Sequence, residues 1–184
     1  MPINIGYIIG SLSKDSINRK LTDNLLELAN NNLKFSEINI SHLPLYNRDN
    51  DTDFPPQARE FKEKIETSDA LLFVTPEYNR TLPAALKNAL EWGSRPFGQN
   101  AFAHKPAGVI GASPGNPGTS MSQQHLRNVL SYLNVPTLNQ PEAFIQFTPQ
   151  RFADDGTAQD DATREVLQNW LSAYYDWTKR FVEH

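Results

Sequence analysis

The stretch Thr75-Pro76-Glu77-Tyr78-Asn79-Arg80-Thr81 gathers an aromatic ring, a carboxylate, an amide and a guanidinium on one short polar turn. Together with the turn's backbone N–H and C=O groups, that set suits a flat, polar-edged heterocycle. It suits bond hydrolysis poorly, because no nucleophile stands beside a general base. A generic strand–helix turn would carry the same residue types, so the turn alone leaves both readings open. A second stretch, Gly10-Ser11-Leu12-Ser13-Lys14-Asp15-Ser16-Ile17-Asn18, concentrates hydroxyls just ahead of a helical pattern. Hydroxyls and unpaired N–H groups at a helix start bind phosphate, aided by the helix dipole. Ser and Asp in that place also cap helices without any ligand.

Two further patterns imitate sites but lack the chemistry. Gly111-Ala112-Ser113-Pro114-Gly115 fits the G-x-S-x-G elbow of serine hydrolases, after a strand and before a helix. The residue after such a nucleophile must donate its backbone N–H to the oxyanion, and Pro114 has none. Only His125 and His184 follow in the chain, and His125 reads as a helix-surface position. Asp49, Asp51, Asp53 and Glu60 have the spacing of calcium-loop ligands, but the glycine such a loop needs is Phe54, followed by Pro55 and Pro56. A solvated acidic loop is expected there. Neither G-x-G-x-x-G nor a Walker A sequence is present, so a mononucleotide is expected rather than a dinucleotide.

Positioning these stretches takes alternating strands and helices. Ile3 to Ile9 is apolar at nearly every position, as in a strand buried on both faces. A helix follows from about Ile17, with Leu21, Leu25 and Leu28 on one face. Leu33 to Ile40 alternates as an edge-side strand, and the proline-containing loop from Ser41 to Pro56 follows. Ala58 to Ile65 reads as a short helix, and Ala70-Leu71-Leu72-Phe73-Val74 as a buried strand stopping at Thr75-Pro76. Leu82, Leu86, Ala89, Leu90 and Gly93 share a helical face after the polar turn. Lys105 to Ala112 is a fourth strand, and Leu126, Val129, Leu130 and Leu133 mark a fourth helix. Val135 to Thr137 and Glu142 to Phe147 form an interrupted fifth strand before a last helix from about Gln159 to Val182. The aromatics of that helix, Trp170, Tyr174, Trp177 and Phe181, read as core or as an oligomer contact. Such alternation gives an α/β fold with a parallel five-stranded sheet. Right-handed crossovers and a phosphate loop after the first strand favour the order 2-1-3-4-5.

A chain of 184 residues suits one domain spanning 1–184. It has 39% hydrophobic and 21% charged residues, ordinary proportions for a globular protein. Its apolar runs are too short to cross a bilayer, and the start has no basic signal-like region. Cysteine is absent, which excludes disulfides, thiolate metal sites and Cys nucleophiles, and a cytoplasmic location is expected. A net charge of −4 argues against a nucleic-acid partner and against a strongly acidic docking surface.

Pro76-Glu77-Tyr78-Asn79, Leu82 to Pro96, Gly10 to Lys20, Leu43 to Asn47 and Ala112 to Gly118 together resemble the NADPH-dependent FMN reductase family, a flavodoxin-like group that includes quinone, chromate and azo-dye reductases. The resemblance runs over most of the chain and implies a flavodoxin-like three-layer sandwich. It implies FMN as cofactor, with NADPH or NADH as hydride donor. Ser11, Ser13, Ser16 and Asn18 would hold the FMN phosphate. Pro76, Glu77, Tyr78, Asn79 and Arg80 would hold the ring edge and one face, and Ser113, Gly115 and Gly118 would close the other side. Ser13 stands where the family usually has Arg, which removes a bidentate phosphate partner unless Lys14 or Arg19 supplies the charge. Pro83-Ala84 stands for the family's Pro-Gly, and Gly118-Thr119-Ser120-Met121 for its Gly-Gly-x-Arg.

The flavin would carry the redox chemistry, so no catalytic side chain is assigned. The implied activity is two-electron, ping-pong reduction of quinones, flavins or xenobiotic acceptors. A flavodoxin-type electron carrier and a flavin-binding regulatory protein are the alternatives. The resemblance also implies a homodimer or homotetramer.

Overall fold

A computed structural model describes residues 1–182. The five strands are β1 (Ile3–Ile9), β2 (Leu33–Glu37), β3 (Ala70–Val74), β4 (Ala107–Ser113) and β5 (Phe144–Gln146). All neighbours in the sheet are parallel, in the order β2-β1-β3-β4-β5. The helices are α1 (Ile17–Leu28), α2 (Pro56–Glu66), α3 (Ala84–Gly93), α4 (Ser120–Tyr132) and α5 (Asp161–Val182).

Every residue of β3 is buried, and its side chains alternate between two cores. Leu71 and Phe73 join Phe61, Ile65, Leu86, Leu90, Leu126 and Leu130, so α2, α3 and α4 cover one face. Ala70, Leu72 and Val74 join Leu21, Leu25, Leu167, Trp170 and Tyr174, so α1 and α5 cover the other. This is the three-layer flavodoxin-like arrangement, and its continuous apolar strands follow from burial on both faces. Trp170 and Tyr174 are stacked core residues. Trp177 and Phe181 pack on each other at the end of the helix, where Phe181 is exposed.

The elements differ from the sequence reading at two edges. β2 pairs with β1 only as far as Glu37, opposite Tyr7. Ile38 and Ile40 continue the apolar alternation and are buried, but they pack beyond the end of the ladder. Ile38 N–H still donates to Tyr7 O at 2.8 Å, and past it the alternation records burial alone. At the other edge β5 is reduced to three residues. Residues 135–137 form no strand; Ala107 N–H donates to Pro136 O, and Leu138 N–H to Ala107 O, which leaves Thr137 as an isolated bridge. The acidic loop holds a 3-10 turn at Arg48–Asp51, and Asp51 accepts from Tyr46 Oη at 3.1 Å. The loop is tied to α3, because Pro44 O accepts from Asn88 Nδ2 and Trp92 Nε1. Among the described residues no helix is long and apolar enough to cross a membrane.

Candidate functional site

The carboxyl ends of β1, β3 and β4 lie side by side, which is where open parallel sheets carry their ligands. An open cleft of about 180 Å³ lies there, with Ser11, Ser13, Ser16 and Asn18 on one wall. Pro76, Glu77 and Tyr78 contribute a second wall, and Ser113 a third. Asn79, Arg80, Gly115 and Gly118 are not among its lining residues. Asp15, Ile17, Ala112 and Pro114 do line it, although the sequence reading singled out none of them. Their adjacency in the chain to residues that were named was the available signal.

The first wall is built by the start of α1. Ser16 is the N-cap, and its Oγ accepts from Arg19 N–H at 3.3 Å. The N–H groups of Ile17 and Asn18 stand ahead of any intrahelical acceptor. Ser11 and Ser16 are nearly buried, while Ser13 and Lys14 are exposed on the loop. Phosphate oxygens fit this set of hydroxyls and first-turn N–H groups, at the positive end of a twelve-residue helix. Asp15 adds an opposing negative charge at the same wall.

Asn18 has a different place from the one the sequence implied. Its side chain is 1% exposed, donating from Nδ2 to Ala112 O at 2.9 Å and accepting at Oδ1 from Ala112 N–H at 2.8 Å. The amide is committed to β4, so Asn18 can offer the cleft its backbone N–H but not its side chain. Arg19 is committed too: it makes two hydrogen bonds to the Glu37 carboxylate, at 3.0 and 2.6 Å. The bond to Glu37 raises the Arg19 guanidinium further above its ordinary value. Of the two cations named for the family's arginine at position 13, Lys14 is the one without an ion pair among the described residues.

The second wall is a tight hairpin. Tyr78 and Thr81 exchange backbone hydrogen bonds of 3.1 Å across Asn79 and Arg80. Both central residues lie in the left-handed region, with φ of 52° and 65°. This geometry favours Asn and Gly, so Asn79 fits it and Arg80 is strained. Arg80 reaches outward to Met121 Sδ at 3.3 Å and not into the cleft. Glu77 Oε2 accepts from the backbone N–H groups of Met121 and Ser122, at 3.0 and 3.1 Å. Tyr78 is half exposed at the mouth.

The third wall is made possible by two glycines. A Cβ at Gly111 would lie 2.0 Å from Thr75 O, so only glycine lets β4 pass the end of β3 there. Gly118 has φ of 59°, and a Cβ on it would come within 2.7 Å of the Phe144 backbone. Gly118 is therefore packed against β5 and not against the cleft. Gly115 is exposed, and its N–H donates to Ser113 Oγ at 3.2 Å. That bond occupies the hydroxyl in the hydrolase-like pattern. His125 Nδ1 lies 2.8 Å from Thr81 Oγ1, a pairing that leaves Ser113 without this histidine. His184 lies outside the described residues.

Residues 3–150 match the family described as NADPH-dependent FMN reductase. A 2-hydroxy-1,4-benzoquinone reductase from a Burkholderia species is 44% identical over 179 residues, covering 97% of this chain and 98% of the relative. A quinone reductase from Pseudomonas putida is 42% identical over 177 residues, covering 96% and 95%. The solved structure of FerB, a flavoenzyme NAD(P)H:(acceptor) oxidoreductase from Paracoccus denitrificans, superposes with a TM-score of 0.93 at 41% identity, covering 97% and 98%. A match over most of the chain, with relatives of this identity at nearly full length, places it: the protein belongs to the NADPH-dependent FMN reductase family.

Proposed function

We propose that this protein is an oxidoreductase that takes hydride from NADPH or NADH onto FMN held in the cleft and passes two electrons to a quinone. Membership of the family makes FMN the cofactor and a nicotinamide nucleotide the donor. The observation that carries the reading is the meeting of three strand-end loops around one open cleft, with the start of α1 at one wall and Tyr78 at its mouth. Quinone acceptors come from the relatives, two of which are named as quinone reductases. FMN would supply the hydride-accepting and hydride-donating chemistry when bound. Ser11, Ser13, Ser16 and the first-turn N–H groups of α1 would bind its phosphate. The backbone of Pro76 to Tyr78 and the Ala112 to Pro114 segment would orient the ring. Donor and acceptor would use the open side in turn, which gives ping-pong kinetics.

The test is to remove any flavin, titrate FMN into the apoprotein, and mix the holoprotein with NADPH or NADH and then with a benzoquinone in stopped flow. Bleaching by the nicotinamide and recovery with the quinone are expected. Binding of FMN without direct oxidation of either nicotinamide would make the protein an electron carrier instead.

The reading extends to a single domain and a homodimer or homotetramer. Leu45 and Phe97 are more than 80% exposed, on the loop tied to α3 and just beyond the end of α3. They are the candidate self-contact. Light scattering at micromolar concentration should give two or four times the chain mass, and a fully active monomer would rule both assemblies out.

A further inference from the structure

Helix α4 has no cap of its own. Its N-cap residue, Thr119, makes no side-chain hydrogen bond to the helix backbone, and its Oγ1 accepts from Gln123 Nε2. The free N–H groups of Met121 and Ser122 are satisfied instead by Glu77, more than forty residues earlier in the chain. Other contacts fasten the same two segments. Ser122 Oγ donates to Pro76 O at 2.8 Å and lies 3.0 Å from Thr75 Oγ1. Arg80 meets Met121 Sδ, and His125 meets Thr81.

We propose that Glu77 is the positioning residue of the cleft's second wall. Ionised, it holds residues 76–81 against the first turn of α4 and so fixes the side of the cleft that receives the ring, on the FMN reading given above. A carboxylate at a helix N-terminus is held by charge-assisted bonds and by the helix dipole. Such an anchor is what the hairpin requires, because two consecutive non-glycine residues in left-handed backbone persist only where the surroundings hold them. The Glu77 carboxylate thus acts through the turn and through α4, while the residue's backbone stays on the cleft wall. A turn released from α4 would meet the flavin in many geometries, and part of the binding energy would be lost in ordering it.

Hydrogen exchange on the ligand-free protein and FMN titration together test this. In Glu77→Ala, the amides of residues 77–82 and 120–123 should exchange at least tenfold faster, and the FMN dissociation constant should rise at least tenfold. Glu77→Gln keeps an acceptor in the same place and should restore most of both. Wild-type exchange and affinity in Glu77→Ala would overturn the proposal. So would a Glu77→Gln variant with wild-type exchange and the affinity of Glu77→Ala, since the charge itself would then be meeting the ligand. If Glu77→Ala does not fold, Ser122→Ala removes the bond to Pro76 O and is read the same way: faster exchange in 77–82 supports the anchor, and unchanged exchange overturns it. A wild-type protein that fails to bind FMN would sink the proposed function, while the exchange data would still decide the role of Glu77.

Discussion

The side chain of Asn18 pairs with the backbone of Ala112 as a neighbouring strand would, giving one hydrogen bond and receiving another. The pairing of β3 with β4 ends at Val74 opposite Ile110, and Thr75 N–H takes the Ile110 carbonyl. Two residues further on, Ala112 has no strand on that side. Its N–H and C=O are buried, and buried backbone groups left unpaired are costly. The amide of Asn18 supplies both partners and, in doing so, joins the first wall of the cleft to the third.

Asn18→Ala should therefore cost stability more than it costs direct ligand contact. It leaves a donor and an acceptor unsatisfied, a penalty of about 2–4 kcal/mol in sum. Asn18→Asp keeps the acceptor but sets a carboxylate against the Ala112 carbonyl, so it should be at least as damaging. Urea unfolding of the apoprotein measures both. An Asn18→Ala variant with wild-type stability would show that Ala112 finds another partner.

The sheet order and both cores were legible because they follow from patterns along the chain: strands apolar throughout, helices with one apolar face, and a polar turn after each central strand. The three loops of the cleft were legible for the same reason, being what lies at the strands' carboxyl ends. The direction of individual side chains was not. Asn18, Glu77 and Arg80 were all expected at the ligand, yet their polar groups meet β4, α4 and a thioether. For Asn18 and Glu77 the choice depends on a distant backbone that lacks a partner, and for Arg80 on a distant thioether; no local spacing encodes either. Gly118 was expected to help close one side of the ring, but its Cα faces Phe144 of β5.

Ser16 should carry two separable roles. As the N-cap of α1 it accepts from Arg19 N–H, and Ser16→Ala should lower stability by about 1 kcal/mol. As a nearly buried hydroxyl at the cleft it should also bond a bound phosphate. Its loss should then weaken FMN binding by about 1–3 kcal/mol, the scale for a hydrogen bond to a charged group. Denaturation of the apoprotein reads the first effect and fluorescence titration with FMN reads the second. Lowered stability with unchanged affinity would leave Ser16 as a cap only.

Gly111 and Gly115, in the same segment, should respond very differently to the same substitution. Gly111→Ala places a methyl group 2.0 Å from Thr75 O, a backbone atom that cannot yield without parting β3 from β4. The loss should exceed the roughly 1–3 kcal/mol typical of overpacking, and little soluble protein is expected. At Gly115 the nearest atoms to a new Cβ are 3.7 Å away, an ordinary contact. Gly115→Ala should unfold within about 0.5 kcal/mol of wild type, as surface substitutions usually do. Unchanged FMN affinity in Gly115→Ala would also remove this residue from the ring's surroundings, in keeping with its position outside the cleft lining.

Acid should loosen the segment leading into α5 by a route that two carboxylates define. Asp160 accepts at Oδ2 from Thr163 Oγ1 and at Oδ1 from Thr163 N–H, and these bonds hold its pKa below the usual carboxylate range. Asp155 is lowered by the hydrogen bond from Thr157 N–H. Between them the isolated bridge from Phe152 to Ala158 closes a small lobe against α1, where Gly156 packs on Lys20. A pKa that is lower in the folded protein means that the unfolded chain binds more protons at a given pH, so stability rises with pH. The contribution is therefore present above the unfolded value, about pH 4 for Asp, and is lost as pH falls through the lower folded values. Both groups are exposed and the effect is a matter of slope, not of a large total. An Asp155→Asn, Asp160→Asn double variant keeps the acceptors but cannot titrate. Its unfolding midpoint should fall less steeply than that of wild type as pH is lowered from about 5 to about 2, and hydrogen exchange in residues 151–160 should show the same difference. Parallel curves for the two proteins would mean that neither carboxylate is linked to folding.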